Sequence, residues 1–580
     1  MLVRQLCNRW PGLLTVLAAG PILLAACAPG SATPGQGQGA APGQPRTKTL
    51  RIGTIKEPIN GLAVAPGSAG NIAGGGAQQH AWIFHQGLTT YDAQGNLQPA
   101  VATKVPTIAD GDWKLNADGS MDVTWKLRPN VRWHDGTSLS AEDFILGIRV
   151  ANDPELPLAR PAGAKLVREV TAIDAQTLVV HWAEAFYGAN RGGPYSVPAV
   201  PRHLMQELYQ QGDKQLFTNS LYWTTQFVGL GPYRLGEWVQ GSYTEALAFD
   251  DYFLGRPKID RVILRYFNDR IVLATGLMAG DLDLVGVGNL TADDLAGVRT
   301  AWEANGDGTI IKTMGEIVWA RFQFRESSAP WARDVRVRQA LLQMIDRQTF
   351  ADTFEPGGSA SADLFVSPDD PAYRLAEQRG FTRYPYDPNR ANQLLADLGW
   401  ARGADGLLQD RGGQRFAMET RVIQRAQPMG VALADQFKRG GLDVPFSVIA
   451  DNAENRGMQR ATSQGVYLQS DPNTEEVAVQ FTTAEIRGEQ NNWSALNQSG
   501  YSNPAVDDLY SQLARELDPA KHESLYADFL KFAADDVLFL PIFYSSGFGI
   551  TAFRRGIRGP GPVAPLEPVT SWNIQQWDLD

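Results

Sequence analysis

Apolar and polar positions alternate through Met121, Val123, Trp125 and Leu127, the period of a strand with one buried face. Arg128-Pro-Asn130 and His134-Asp-Gly-Thr137 then mark two turns, with Gly136 free to take a positive φ. Ser140 opens a helical pattern in which Phe144, Ile145 and Ile148 form the apolar side and Asp143 holds the fourth place of a capping box. Comparable units follow one another along the chain. Residues 49–55, 260–267, 317–324 and 416–423 read as strands, and 170–182 as two strands about the Asp174-Ala175 turn. Residues 81–88, 271–278 and 429–439 read as helices. Residues 334–350 carry a helical stripe of Val337, Ala340, Leu341, Met344 and Ile345 behind a cap at Asp334. In 387–399, Asp387 caps, Pro388 takes the first helical position and Gly399 ends the helix. The chain is therefore α/β.

At 580 residues it is too long for one ordinary core, and several domains are expected. A hydrophobic share of 43% argues against wholesale disorder. A net charge of −11 without any Lys/Arg run excludes a nucleic-acid binder. The only cysteines, Cys7 and Cys27, build neither a disulfide framework nor a cysteine zinc site. The chain contains no G-x-x-x-x-G-K-[ST] loop, no G-x-S-x-G elbow and no H-E-x-x-H pair, so no catalytic residue, metal site or cofactor is assigned. His134-Asp135 reads as a turn-locking pair, Asp281 and Asp283 as solvated acids of a turn, and Arg336 and Arg338 as helix charges.

The first 26 residues have a basic start (Arg4, Arg9) and an apolar run broken by Gly20-Pro21, the pattern of a secretory signal. Leu24-Ala-Ala-Cys27 resembles a bacterial lipobox, which implies a diacylglycerol anchor on Cys27. Residues 27–48, rich in Pro, Gly and Gln, read as a flexible tether. Ala28 leaves open which membrane face holds the anchor.

The stretch Leu127, Arg128, Val131, Trp133, His134, Asp135, Gly136, Leu139, Ser140, Ala141 and Asp143 resembles the signature of family 5 extracellular solute-binding proteins, the dipeptide, oligopeptide and nickel binders of ABC importers. Asn130 departs from that pattern, which has glycine there. Further segments match in order: Val228-Gly-Leu-Gly-Pro-Tyr-Arg-Leu235, Asp251-Tyr252 with Gly255-Arg-Pro257, Gly280 to Asp283, 334–347, Tyr386-Asp387-Pro388 to Gly399-Trp400, 465–474, 501–507 and 535–544. The resemblance implies the type II periplasmic-binding-protein fold, two hinged lobes with a cleft between them. Lobe I would be 49–305 with an inserted subdomain at about 85–215, lobe II 306–544, and 545–580 a return to lobe I. The 57–76 loop would lie at the cleft mouth. The resemblance further implies an extracytoplasmic, lipid-anchored monomer. It would capture a peptide or peptide-like solute and deliver it to the permease and ATPase subunits of an importer. Trp319, Arg321, Arg425, Tyr467 and Asp471 are its candidate ligand contacts. Leu468 stands where peptide binders carry an acid, so a sugar, a metal chelate or an opine-like solute stays open, as does a sensory or scaffolding role. A secreted hydrolase is the remaining alternative.

Overall fold

The computed structural model describes residues 47–55, 57, 77–156, 163–193, 197–325, 329–356, 359–450, 455–547, 549–564 and 569–580. The expected signal segment, Cys27, nearly all of the tether and the loop at 58–76 lie outside the described residues. Strand β1 (Thr49–Ile55) buries Leu50 and Ile52. Helix α1 (Ala77–Phe84) buries Trp82, Ile83 and Phe84 beside it. The hairpin β2 (Thr89–Tyr91) and β3 (Leu97–Pro99) turns about Asp92, whose carboxylate accepts the backbone N–H groups of Gln94 and Asn96 at 3.0 and 2.9 Å.

The inserted subdomain is a four-stranded antiparallel sheet, β4 (Trp113–Leu115), β5 (Met121–Lys126), β7 (Thr177–Trp182) and β6 (Val167–Asp174) in that spatial order, with helix α2 (Ala141–Asn152) against β6. Alternation along β5 puts Met121, Val123 and Trp125 into its core with Trp133 and Phe144. The Asp143 carboxylate accepts the Ser140 backbone N–H at 2.8 Å and, through its other oxygen, that of Arg202 at 2.8 Å. It thereby fixes the start of α2 and, across the core, the start of α3 (Arg202–Gln210), after which comes α4 (Lys214–Thr218). Burial raises the Asp143 pKa against these hydrogen bonds.

His134 and Asp135 lock separate contacts instead of pairing with each other. The His134 Nδ1 accepts the Gly229 N–H and Nε2 donates to the Gly231 carbonyl, each at 3.1 Å, whereas Asp135 pairs with His203. His85 stacks on Trp133 at 6.0 Å. Burial lowers the His85 pKa to about 3 and that of His134 to about 4 from an ordinary 6.5. Both rings are held neutral, so below pH 6.5 the unfolded chain binds more protons. The stability they contribute is complete above pH 6.5 and is lost as pH falls through the folded values. Urea unfolding at pH 5 is expected to show a loss of about 2 kcal/mol per imidazole relative to pH 7.5. His134→Gln should shrink that loss by about half; an equal loss in both proteins would contradict the reading.

The chain returns through β8 (Tyr233–Val239), β9 (Tyr243–Ala248) and β10 (Arg261–Phe267), helix α5 (Arg270–Ala279), β11 (Leu284–Val285), helix α6 (Ala296–Asn305) and β12 (Gly308–Lys312). Asp283 is not a solvated turn acid. It takes the Arg51 backbone N–H at 2.8 Å and its guanidinium at 2.9 and 2.7 Å, tying β1 to the entry of β11.

Strand β13 (Glu316–Phe322) opens the second lobe. The 334–350 stripe is two helices, α7 (Val335–Gln343) and α8 (Arg347–Phe354), because the Asp346 N–H turns away to Gln436 and its carboxylate caps α8 at Thr349. Arg338 is a structural charge, buried and donating to the Ala332 and Asp536 carbonyls. Then come α9 (Pro371–Gln378), α10 (Pro388–Asp397), the short pair β14 (Ala401–Arg402) and β15 (Leu408–Gln409), β16 (Glu419–Ile423), α11 (Gln427–Arg439), β17 (Phe446–Ile449), α12 (Arg456–Ala461), β18 (Gly465–Pro472), α13 (Pro504–Arg515), α14 (Pro519–Asp535), β19 (Phe539–Ser545) and β20 (Ile550–Arg554).

Two main sheets result. The first runs β12-β20-β11-β1-β10-β9-β8 and the second β17-β16-β18-β13-β19. Because β12 pairs with β20, the chain leaves the first sheet at 313–315. It returns at 546–549. The two crossings meet where the Thr313 N–H donates to the Gly549 carbonyl at 2.8 Å. The buried Glu355 carboxylate spans both. It accepts Lys312 Nζ at 3.3 Å, Ser545 Oγ at 2.9 Å and Ser546 Oγ at 2.6 Å.

Candidate functional site

Register decides what the second sheet offers on each side. On one face Val318, Ala320 and Phe322 of β13 and Val466 and Leu468 of β18 enter a core with α7, α8, α10 and α11. On the other, Ile317, Trp319 and Arg321 oppose Asp471, Gln469 and Tyr467. Here the apolar end (Ile317, Trp319, Phe539, Tyr544) lies under α9, α13 and α14. Beyond Arg321 the same face turns polar: Tyr467 is followed on β16 by Arg421, and Arg421 meets Glu419 and Ser447 at 2.9 and 3.1 Å. Leu468 is fully buried on the opposite face, so the acid position counted from sequence does not reach this surface.

Four of the five candidate contacts form one cluster. Asp471 Oδ2 accepts Trp319 Nε1 and Arg321 Nη2, each at 2.8 Å, and Gln469 Nε2 as well. Arg321 is 2% exposed, also donates to Gln480, and lies 4.4 Å over the Trp319 ring and 6.0 Å from that of Phe481. Burial lowers its pKa, and Asp471 opposes the shift. Trp319 is buried among Phe365, Phe481 and Phe539, so it is a platform under Arg321. Tyr467 is buried; burial raises its pKa while Arg460, beside its hydroxyl, and Arg425 pull it down. Arg425 stands apart, exposed, in the turn Gln424–Ala426 between β16 and α11 and within electrostatic reach of Tyr467.

Three residues escaped the sequence reading. Arg460 on α12 places its guanidinium 5.3 Å over the Tyr467 ring. Arg487 and Gln498 reach the cluster from the loop before α13; Gln498 Nε2 donates to Gln469 Oε1 at 3.1 Å. None lies in a periodic segment or a matched motif, and only the fold brings them to β18.

The two lobes also touch beside the sheet. The Tyr187 ring stacks on His522 with centroids 3.4 Å apart and planes 12° from parallel. Arg191 lies 4.0 Å from Glu475 and 3.9 Å from Glu476, and Arg515 pairs with Glu184. Among the described residues no group of three His, Cys, Asp or Glu side chains is placed to hold a metal ion. No described helix is long and apolar enough to cross a membrane.

Residues 103–483 match the family described as bacterial extracellular solute-binding proteins, family 5 Middle. The oligopeptide-binding protein AppA of Bacillus subtilis (strain 168) is 22% identical over 546 residues, covering 92% of both chains. An oligopeptide-binding protein from Thermus thermophilus, solved with a pentapeptide, superposes with a TM-score of 0.71 at 20% identity over 92% of this chain and 97% of that one. NikZ from Campylobacter jejuni, solved with Ni(L-His), superposes with a TM-score of 0.69 at 19% identity over 91% and 99%.

Proposed function

Because this chain belongs to the family 5 bacterial extracellular solute-binding proteins, we propose that it is the extracytoplasmic substrate-binding component of an ABC importer. It takes up a small solute, a peptide or peptide-like molecule, between its lobes and hands it to membrane permease subunits whose partner ATPase supplies the energy. The observation that carries this reading is the pair of crossings at 313–315 and 546–549, joined to each other and to Glu355, with separate α/β sheets on either side. Crossings of a few residues are where hinge closure is absorbed, and closure requires a ligand that touches both lobes. On this reading residues 1–26 are a signal peptide. Cys27 carries the lipid, 27–48 is the tether, and the protein acts as a monomer outside the cytoplasm.

Arg321, Tyr467 and Asp471 with Trp319 beneath them form one wall of the binding cleft, and Arg425 at the carboxyl end of β16 pairs with a ligand carboxylate. Because Leu468 lies in the core, its lack of charge does not argue against a peptide, and a metal chelate such as the Ni(L-His) held by the Campylobacter jejuni relative is the alternative class of ligand. Native mass spectrometry of the purified protein should show one bound small molecule. That compound at a hundredfold excess over Kd should add about 2.7 kcal/mol of stability. Arg425→Ala is expected to weaken a carboxylate-bearing ligand about tenfold; unchanged affinity removes Arg425 from the site.

A further inference from the structure

We propose that the polar end of the second sheet is an anion seat, in which Arg321, Arg460 and Arg487 with the Tyr467 hydroxyl receive a doubly negative group of the transported solute, a dicarboxylate or a phosphate. The proposal rests on the solute-binding reading and names the chemistry of its ligand.

Charge is the first argument. Arg321, Arg460 and Arg487 converge on Tyr467 and Asp471, and Asp471 is the carboxylate that faces them. Arg321 is bonded to it. Among the described residues neither Arg460 nor Arg487 forms an ion pair, and the nearby Arg421 is already matched by Glu419. Arg321, Arg460 and Arg487 against Asp471 leave an excess of two positive charges among these four groups, which one dianion would balance. Half-buried like charges repel one another in a medium less polar than water, and a protein tolerates such a cluster where a ligand completes it. Burial together with Arg460 and Arg321 lowers the Arg487 pKa to about 10.

Unused hydrogen-bonding capacity is the second argument. Arg321 Nε and Arg460 Nε are buried without a partner, and the Tyr467 hydroxyl lies beside Arg460. Tyr467 is 2% exposed and sits directly opposite Arg321 in the ladder, so these orphaned donors belong to one spot. Buried polar atoms are nearly always satisfied, and two guanidinium donors left open beside a buried hydroxyl call for an acceptor.

The surroundings of the three guanidinium groups are built. Arg325 donates through Nη1 to the Ala461 carbonyl at 2.7 Å and the Gln498 carbonyl at 3.0 Å, and through Nη2 to the Arg487 carbonyl at 2.5 Å. Gln323 adds a bond to Ala461 at 2.7 Å. Arg487 donates Nε to the Ala495 carbonyl at 2.6 Å. The segments bearing Arg460 and Arg487 are thus fastened from below by β13 and the residues that follow it. That is the preorganisation which lets guanidinium groups bind an oxyanion without first being ordered.

The test uses the full chain and the variants Arg460→Gln and Tyr467→Phe. Calorimetry is run with glutarate, the dipeptide Glu-Glu, inorganic phosphate, Ala-Ala and Lys-Lys at two salt concentrations. Native mass spectrometry identifies any compound that purifies with the protein. The proposal expects an anionic bound compound and tighter binding of the acidic probes than of Ala-Ala or Lys-Lys. Affinity should fall about tenfold or more in Arg460→Gln, by a smaller factor in Tyr467→Phe, and with added salt. Preference for phosphate over glutarate and Glu-Glu, or the reverse, tells which dianion is meant. A neutral or cationic bound compound, or an acidic affinity unchanged in Arg460→Gln, overturns the anion seat and leaves solute binding intact. No bound compound together with no binding by any probe overturns the solute-binding reading, and this one with it.

Discussion

Replacing Arg321 with methionine should lower the stability of the protein by about 3 kcal/mol at pH 7, and adding Asp471→Asn in the same chain should restore most of it. Arg321 is 2% exposed, and its guanidinium is fixed by Asp471 and Gln480 over the Trp319 ring. Methionine fills a comparable volume but leaves the Asp471 carboxylate hydrogen-bonded by the neutral donors of Trp319 and Gln469, without its direct ion-pair partner. Removing one partner of a buried ion pair strands the other, whereas neutralising both removes the penalty. Urea unfolding of the two single variants and the double variant measures the coupling. A double variant that merely adds the two losses would show that the pair is not a unit.

Gly231→Ala should cost at least as much, about 3 kcal/mol or more, without touching the second lobe. A methyl at that position would lie 2.4 Å from the Phe84 carbonyl carbon and 2.5 Å from the Ile83 oxygen, both backbone atoms that have nowhere to go. The approach is this close because the Gly231 N–H bonds the Phe84 carbonyl at 3.1 Å while His134 bonds the Gly231 carbonyl from the other side. Three segments, from α1, the inserted subdomain and the return strand β8, are stitched there. Gly297→Ala is the control: nothing lies within 4 Å of its added methyl, and inside α6 alanine should be neutral or stabilising. Equal unfolding midpoints for Gly231→Ala and the parent would contradict the close-approach argument.

Much of the first lobe was legible because its signals are local. The alternation from Met121, the capping pattern at Ser140 and Asp143, and the glycine pair at 229 and 231 each state a backbone need within a few residues, and each is met. In the second lobe the ends of α10 were legible for the same reason, through Asp387-Pro388 and Gly399. The break at Asp346 was missed because an apolar stripe carries on through a change of helix. Only the hydrogen bond to Gln436, far along the chain, shows where the axis turns. Asp283 was misread because its partner Arg51 is a neighbour across the sheet and not along the sequence. The same holds for the cluster on β18. Arg321, Tyr467 and Asp471 could be singled out through the resemblance of the segments that bear them, but Arg460 and Arg487 come from a short helix and a loop with no periodic signature, and only the fold brings them to Tyr467. Leu468 shows the limit of counting along a strand, where one residue either way exchanges the core for the surface.

The central claim is that two α/β lobes close on a solute about the crossings at 313–315 and 546–549. Small-angle X-ray scattering of the full chain, first stripped of the compound that purifies with it and then saturated with that compound, tests this most directly. The account predicts that the radius of gyration falls on saturation and that scattering from the stripped protein fits a more open pair of lobes. A saturated protein whose scattering curve superposes on that of the stripped one would contradict it.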